Sequence, residues 1–130
     1  MKWTGLVFAL GLATAAQAEE ATGLWQTEAG ESGGYLHVEI APCGTALCGV
    51  IAKAFAAGGS ASQGYEHLGK KMLWDMQPEG AGKYGSGKIW APDKNKTYKS
   101  KMRLEGNVLT VKGCVAGGAI CRGQNWTRVK

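Results

Sequence analysis

The four cysteines are the residues of this sequence with the most evident chemistry: Cys43, Cys48, Cys114 and Cys121. Such thiols either bind a metal ion or form disulfides. Zinc sites usually combine closely spaced cysteines with histidine support, and the two histidines, His37 and His67, do not show that spacing. We therefore predict two disulfides and no metal site. Four cysteines allow three pairings, among which composition does not choose.

The histidines and carboxylates do not form a recognisable catalytic set. Nucleophilic catalysis needs a nucleophile, a base and an orienting group within reach of one another, but His37 falls on the polar face of a predicted strand and His67 in a predicted loop. Paired carboxylates would have to face one site. Those of this chain fall at predicted strand ends or turns: Asp75, Glu79, Asp93 and Glu105. We therefore expect no enzymatic activity and no cofactor.

Basic residues alternate along one predicted strand, where Lys99, Lys101 and Arg103 share a face. One interpretation is an electrostatic site for an anionic envelope component, such as lipopolysaccharide phosphates, anionic lipid headgroups or acidic glycans. The other is a solvated outer face that prevents aggregation between sheets. Both interpretations place these three side chains on the outside of the fold.

The first residues have the organisation of a secretory signal peptide. Lys2 supplies a positive charge, an apolar run extends over residues 6–16, and the small residues Ala16 and Ala18 occupy the positions read by signal peptidase. The run is shorter than the ~20 apolar residues of a membrane-spanning helix. We expect cleavage near Ala18, one domain over residues 19–130, and a periplasmic or secreted protein that neither spans a membrane nor binds nucleic acid.

Short segments of alternating, β-branched and aromatic residues recur along the rest of the chain, separated by Gly, Pro, Asn and Asp. This pattern predicts an all-β fold. Eight strands are predicted, at residues 22–28, 34–41, 47–55, 71–76, 83–90, 97–105, 107–112 and 122–129. The connection 56–70 is rich in Gly, Ala and Ser and is predicted to be mobile or a functional flap. Since closure removes exposed edges, an eight-stranded antiparallel up-and-down barrel is favoured over a sandwich.

Closure makes the first and last strands neighbours, which brings Trp25 and Arg128 to a similar level. An arginine over an indole face is a stabilising contact that would plug one end of the barrel. The alternative is that Trp25 belongs to an ordinary core and Arg128 is solvated.

Closure also chooses among the cysteine pairings. Successive turns of an up-and-down barrel alternate between its two ends, so the turns at 42–47 and 113–121 lie at opposite ends. A strand separates these ends by roughly 20 Å, too far for a disulfide. The predicted pairs are therefore local: Cys43 with Cys48, and Cys114 with Cys121.

The end of the barrel opposite the predicted Trp25–Arg128 plug would carry the 56–70 loop and the 92–97 turn. The side chains predicted to line that mouth are Phe55, Met72, Trp74, Ile89 and Tyr98, a composition that suits a small lipid-like ligand. A barrel of this size holds either a small ligand or only its own side chains. The favoured hypothesis is non-catalytic binding of a small apolar or amphipathic molecule. The alternative is a ligand-free envelope module that docks to a protein or an anionic surface through its basic strand.

A series of motifs follows in order along almost all of the predicted mature chain. They are Gly23-Leu24-Trp25, Leu47-Cys48-Gly49-Val50-Ile51, Gly69 ahead of Met72-Leu73, Gly87-Lys88-Ile89-Trp90-Ala91-Pro92 before Thr97-Tyr98, Leu109-Thr110-Val111-Lys112-Gly113-Cys114, and Cys121-Arg122-Gly123-Gln124-Asn125-Trp126-Thr127-Arg128. Together they resemble the secreted bacterial family catalogued as domain of unknown function 2147. The chain differs at Ala91 and Asn95, where that family usually has Asp and Gly. The resemblance implies a lipocalin-like barrel in the bacterial envelope and implies no activity.

Overall fold

The structure, a computed structural model, describes residues 21–130. Each strand pairs antiparallel with the next along the chain, and the last pairs with the first, so the sheet closes. The strands are β1 (Gly23–Gln26), β2 (Tyr35–Cys43), β3 (Ala46–Phe55), β4 (Lys71–Gly80), β5 (Lys83–Ala91), β6 (Lys96–Glu105), β7 (Val108–Val115) and β8 (Ile120–Arg128). The predicted eight-stranded antiparallel up-and-down barrel is confirmed. The predicted leader and its cleavage near Ala18 lie outside the described residues.

The two ends of the barrel differ. The closed end carries the start of β1, the turns after β2, β4 and β6, and the chain from Val129 to Lys130. The open end carries the connections 27–34, 56–70, 92–95 and 116–119. Side chains alternate across the wall, as in β6, where Ser100, Met102 and Leu104 are buried between exposed charged residues. The largest fully buried side chains are Trp25, Trp126, Ile40, Ile51, Leu73, Met76, Leu109, Val38 and Val111.

Bulges interrupt the strict alternation in β4 and β5. Gly49 pairs with Leu73 while the next residue, Val50, pairs with Lys71, so Met72 is an extra residue and two consecutive side chains, Met72 and Leu73, are buried. A second irregularity in β4 coincides with a positive φ of 57° at Asp75. The alternation is broken there, which explains why the predicted strand ends at residue 76 although β4 continues to Gly80.

Both predicted disulfides are confirmed, since Cys43 bonds to Cys48 and Cys114 to Cys121. The first closes the β2–β3 hairpin at the closed end. The second joins directly opposed residues of β7 and β8 next to the turn at the open end. Each end is thus held by a covalent link within one hairpin.

Candidate functional site

The closed end is blocked by an arginine and a tryptophan. Trp25 and Arg128 are opposite each other in the β1–β8 register, and the Arg128 guanidinium carbon lies 4.5 Å from the centre of the indole. Arg128 also donates from Nε to Asn107 Oδ1 at 3.1 Å and from Nη1 to the Thr22 carbonyl at 3.0 Å. A β-carbon at residue 23 would lie only 2.9 Å from Nη1, so Gly23 makes room for this arrangement. A ligand therefore has no route through this end.

Two adjoining cavities open at the other end, with volumes of about 580 and 630 Å³. Five residues line both: Glu28, Met72, Pro92, Asp93 and Gln124. Each volume falls within the range of small-molecule sites, about 300–1,000 Å³. The barrel is thus filled at the closed end and hollow at the open end.

The larger cavity has mainly apolar walls. Its apolar lining includes Met72, Ile89, Trp90, Tyr98, Val111, Val115, Ile120 and Trp126. Val115 and Ile120 are 46% and 60% exposed although they face each other across one hairpin. Polar side chains of the same lining are Glu28, Asp93, Lys94, Arg122 and Gln124. This combination suits a molecule with an apolar body and a polar group.

Four of the five side chains predicted to line the mouth line one of its two cavities. Met72, Ile89 and Tyr98 contribute to the larger cavity. Phe55 lines the smaller cavity, but it pairs with Tyr35 and stacks on that ring with centroids 4.9 Å apart. The prediction that Trp74 lines the mouth is wrong, because Trp74 lies opposite the exposed Lys88 and lines neither cavity. The extra residue at Met72 shifts the alternation by one, which removes Trp74 from the inner face.

Sequence reasoning missed the contribution of the β7–β8 hairpin to the mouth. Starting from the buried Trp126, every second residue towards the turn faces inward: Gln124, Arg122 and Ile120. The alternation was present in the sequence. Of this hairpin's residues near the turn, only the two cysteines entered the prediction.

The 56–70 connection is attached to the barrel rim. Its backbone bonds to Ile51 in both directions, from Gly69 N–H to the Ile51 carbonyl at 2.8 Å and from Ile51 N–H to the Lys70 carbonyl at 2.9 Å. The His67 ring lies edge-on to Trp90 at 5.0 Å between centroids. Trp90 in turn donates to Asn95 Oδ1 at 2.9 Å. These contacts link two loops of the open end.

Asn95 occupies the turn position where the resembled family usually has glycine. Its φ of 51° is left-handed, a conformation that asparagine tolerates better than most residues. The side chain also accepts the indole N–H of Trp90. The substitution therefore keeps the turn and adds a contact across it.

An aromatic cluster borders the smaller cavity, where His37 is 4.6 Å from Phe55 between ring centroids. His37 Nε2 lies 3.0 Å from Gln26 Oε1. Burial and, secondarily, the positive charge of Lys53 hold the pKa of His37 below its usual value. No nucleophile accompanies this histidine in the cluster of contacts described for residues 21–130.

Within residues 21–130, His, Cys, Asp and Glu do not cluster in groups of three or more that could hold a metal ion. None of the helical segments of residues 21–130 is long and apolar enough to cross a membrane.

The predicted basic strand forms part of a larger surface, here called the basic wall. It comprises Lys83, Lys88, Lys99, Lys101, Arg103 and Lys112, all exposed. Their register places like charges directly opposite each other in three pairs: Lys83 with Arg103, Lys88 with Lys99, and Lys101 with Lys112. Such pairs are destabilising. A shallow cavity of about 570 Å³ runs over the wall and is lined by Lys88, Lys99 and Lys101.

The family model described as "Uncharacterized protein conserved in bacteria (DUF2147)" matches residues 23–128. The chain belongs to this family. No curated protein matches the sequence. Among solved structures, the DUF2147 chain is similar to one described as "Protein HP1028 from the human pathogen Helicobacter pylori belongs to the lipocalin family". The TM-score is 0.65 at 17% identity, over 84% of this chain and 82% of that chain. This likeness shows a lipocalin-like fold.

Proposed function

We propose that this DUF2147 barrel is a non-catalytic protein that binds a small apolar or amphipathic molecule at its open end. The observation that carries the proposal is the larger cavity, about 630 Å³ with apolar walls and a few polar side chains. The plugged closed end and the filled core leave one entrance. The likeness to a lipocalin-family protein supports the same function by analogy of fold.

The disulfide between Cys114 and Cys121 supports this proposal. It anchors the hairpin whose inward residues, Val115, Ile120 and Arg122, line the cavity. A rim held in place by a covalent link loses less conformational freedom when a ligand binds, which favours affinity.

A variant that fills the cavity tests the proposal. Gly113 lies on its wall, and a β-carbon there would make ordinary contacts with Ile89 at 3.5 Å and with Tyr98 at 3.6 Å, so a longer side chain at this position would take up space in the cavity. Gly113→Leu should abolish binding of lipid-sized molecules that co-purify with the protein, as measured by native mass spectrometry. The matched control is Gly123→Leu on the same hairpin: the backbone of Gly123 also borders the cavity, but its β-carbon would point away from it, 3.2 Å from Lys112 Cγ and 3.5 Å from Thr110 Cγ2 on the outer wall.

The expected result is co-purifying mass on the wild type and on Gly123→Leu, and none on Gly113→Leu. Equal binding by all three proteins would place the ligand elsewhere. Absence of any bound mass, together with no heat on titration of alkyl amphiphiles into the wild type, would refute the proposal.

The basic wall supports a second candidate function, docking to anionic lipid headgroups of an envelope membrane. The supporting observation is the three like-charge pairs, which an anionic surface would relieve. Among the described residues, Arg103 is the only member of the wall with an ion pair, to Glu105 at 3.6 Å.

Vesicles with anionic phospholipid should retain the wild type at low salt and release it as salt is raised. Changing Lys99, Lys101 and Arg103 to glutamine should remove retention. The control changes three exposed lysines off the wall to glutamine: Lys53, Lys71 and Lys130. Retention that persists without the wall charges, or is lost equally in the control, would rule out this docking surface.

Two disulfides are typical of an extracytoplasmic protein. We propose more specifically a periplasmic or secreted protein released by cleavage near Ala18. N-terminal sequencing of the protein from the periplasmic fraction or medium of an expressing Gram-negative host should begin at Glu19. A product that retains Met1 would refute this assignment.

A further inference from the structure

One arginine faces the interior of the larger cavity. Arg122 lies four residues from the buried Trp126 on β8, so the alternation of the strand directs both to the inner wall. Arg122 lines the cavity together with Ile89 and Tyr98. The Arg122 side chain is exposed to solvent at the mouth of this cavity, so it is accessible to the polar head of a bound molecule.

The residue opposite Arg122 leaves space for a ligand group. Across the hairpin, Arg122 pairs directly with Gly113. The missing side chain at Gly113 leaves open a volume bounded by Ile89 and Tyr98, the atoms nearest to a β-carbon built there. Gly113 therefore places no side chain next to Arg122 on the neighbouring strand.

The charges of the protein leave Arg122 available to a ligand. Within residues 21–130, no carboxylate comes within ion-pair distance of Arg122. Glu28 lines the same cavity, but its Oε2 accepts the backbone N–H of Asn125 at 2.6 Å. A guanidinium presents a planar fork of donors that matches a carboxylate with two parallel hydrogen bonds.

We propose that the ligand of the open end is a single-chain amphiphile with a carboxylate head, which Arg122 binds while the hydrocarbon body packs on Ile89, Tyr98 and the other apolar walls. This inference rests on the proposed function of the open end and specifies its ligand class. The exposed apolar pair Val115 and Ile120 at the rim extends the apolar surface available to the chain of the amphiphile.

Three probes of equal chain length test the head group: dodecanoate, dodecanol and dodecyltrimethylammonium, titrated below micelle formation by isothermal calorimetry. The wild type should bind dodecanoate at least about tenfold more tightly than the other two, the scale of one hydrogen-bonded charge. Arg122→Gln should remove that preference and retain weak binding of dodecanol. Arg122→Lys should retain part of the preference, because the charge remains without the fork.

The matched control is Lys112→Gln, which removes one positive charge from the same hairpin on its outer face. It should bind dodecanoate as the wild type does. If the three probes bind equally to the wild type, or if Lys112→Gln weakens dodecanoate as much as Arg122→Gln, the inference about Arg122 fails while ligand binding stands. If no probe binds, the proposed function itself fails.

Discussion

Among partly exposed side chains, we expect Arg128 at the closed end to contribute most to the free energy of unfolding. In Arg128→Ala the protein loses the guanidinium stacked 4.5 Å from the Trp25 ring centre. It also loses the hydrogen bonds to Asn107 Oδ1 and to the Thr22 carbonyl. The change leaves the backbone pairing of β1 with β8 in place, so the effect reports the side chain.

The expected loss follows from these contacts. An arginine over an indole contributes about 0.5–2 kcal/mol, and a hydrogen bond from a charged donor about 1.5–3 kcal/mol when protected from water. The bond to Asn107 is exposed and the bond to Thr22 is partly buried, so both contribute towards the lower end. We expect Arg128→Ala to lower the free energy of unfolding by about 2–4 kcal/mol, a large fraction of the ~5–15 kcal/mol of a typical domain.

Urea denaturation followed by tryptophan fluorescence measures this loss. The midpoint should fall with the slope unchanged, as expected for a loss of stability without a change in compactness. Arg103→Ala is the control, because its side chain is 61% exposed and makes only a 3.6 Å ion pair with Glu105. That change should cost less than about 0.5 kcal/mol.

A double-mutant cycle separates the stacking from the hydrogen bonds. Arg128→Ala combined with Asn107→Ala should cost less than the sum of the single changes, since both remove the same bond. A loss below about 0.5 kcal/mol for Arg128→Ala alone, equal to that of the Arg103 control, would show that the closed end does not depend on this contact.

The remaining predictions concern a close approach, a disulfide and a titrating side chain. Gly87→Ala should lower the free energy of unfolding by about 1–3 kcal/mol in the same urea assay, because its β-carbon would lie 2.6 Å from Met76 Sδ and 2.9 Å from a backbone oxygen. Replacing Cys114 and Cys121 by alanine should cost about 2–2.5 kcal/mol by the loop-entropy relation. Since the folded protein holds the pKa of His37 below its usual value, the unfolded chain binds more protons below about pH 6.5, and stability should fall from about pH 8 to about pH 5. His37→Gln should remove that part of the fall.

Each of these predictions has an outcome that contradicts it. Gly64→Ala is the control for Gly87→Ala, because open space surrounds residue 64 and its φ is not left-handed; equal effects would refute the close approach. Peptide mapping under non-reducing conditions that linked Cys114 to Cys43 would contradict both the disulfide and the register. A pH dependence of unfolding that is identical in His37→Gln and the wild type would show that His37 does not contribute to it.

Much of the fold could be predicted because its signals are local. In β6 the alternation of Met102 and Leu104 with charged neighbours indicates which face of the strand points into the barrel. Trp74 shows the limit of this reasoning. Its phase depends on the bulge at Met72, which arises from pairing with β3 and carries no mark in the sequence around it.

The candidate site was predictable in part for the same reason. Met72, Ile89 and Tyr98 were assigned to the mouth from strand phase and the end at which their turns lie. Arg122 was not, although it shares the face of Trp126, because its importance comes from the empty position at Gly113 on the neighbouring strand. A vacancy of that kind exists only once two strands are placed beside each other.

The amino-acid pattern alone settles the all-β class, the order of eight strands and, through the alternation of turns between two ends, the local pairing of the cysteines. These are consequences of a period of two and of chain connectivity. The assembled barrel decides the rest: that Arg128 lies on Trp25, that one end is filled and the other hollow, and which side chains meet in the hollow. Those features depend on register and bulges, which are determined by packing between segments far apart in the chain.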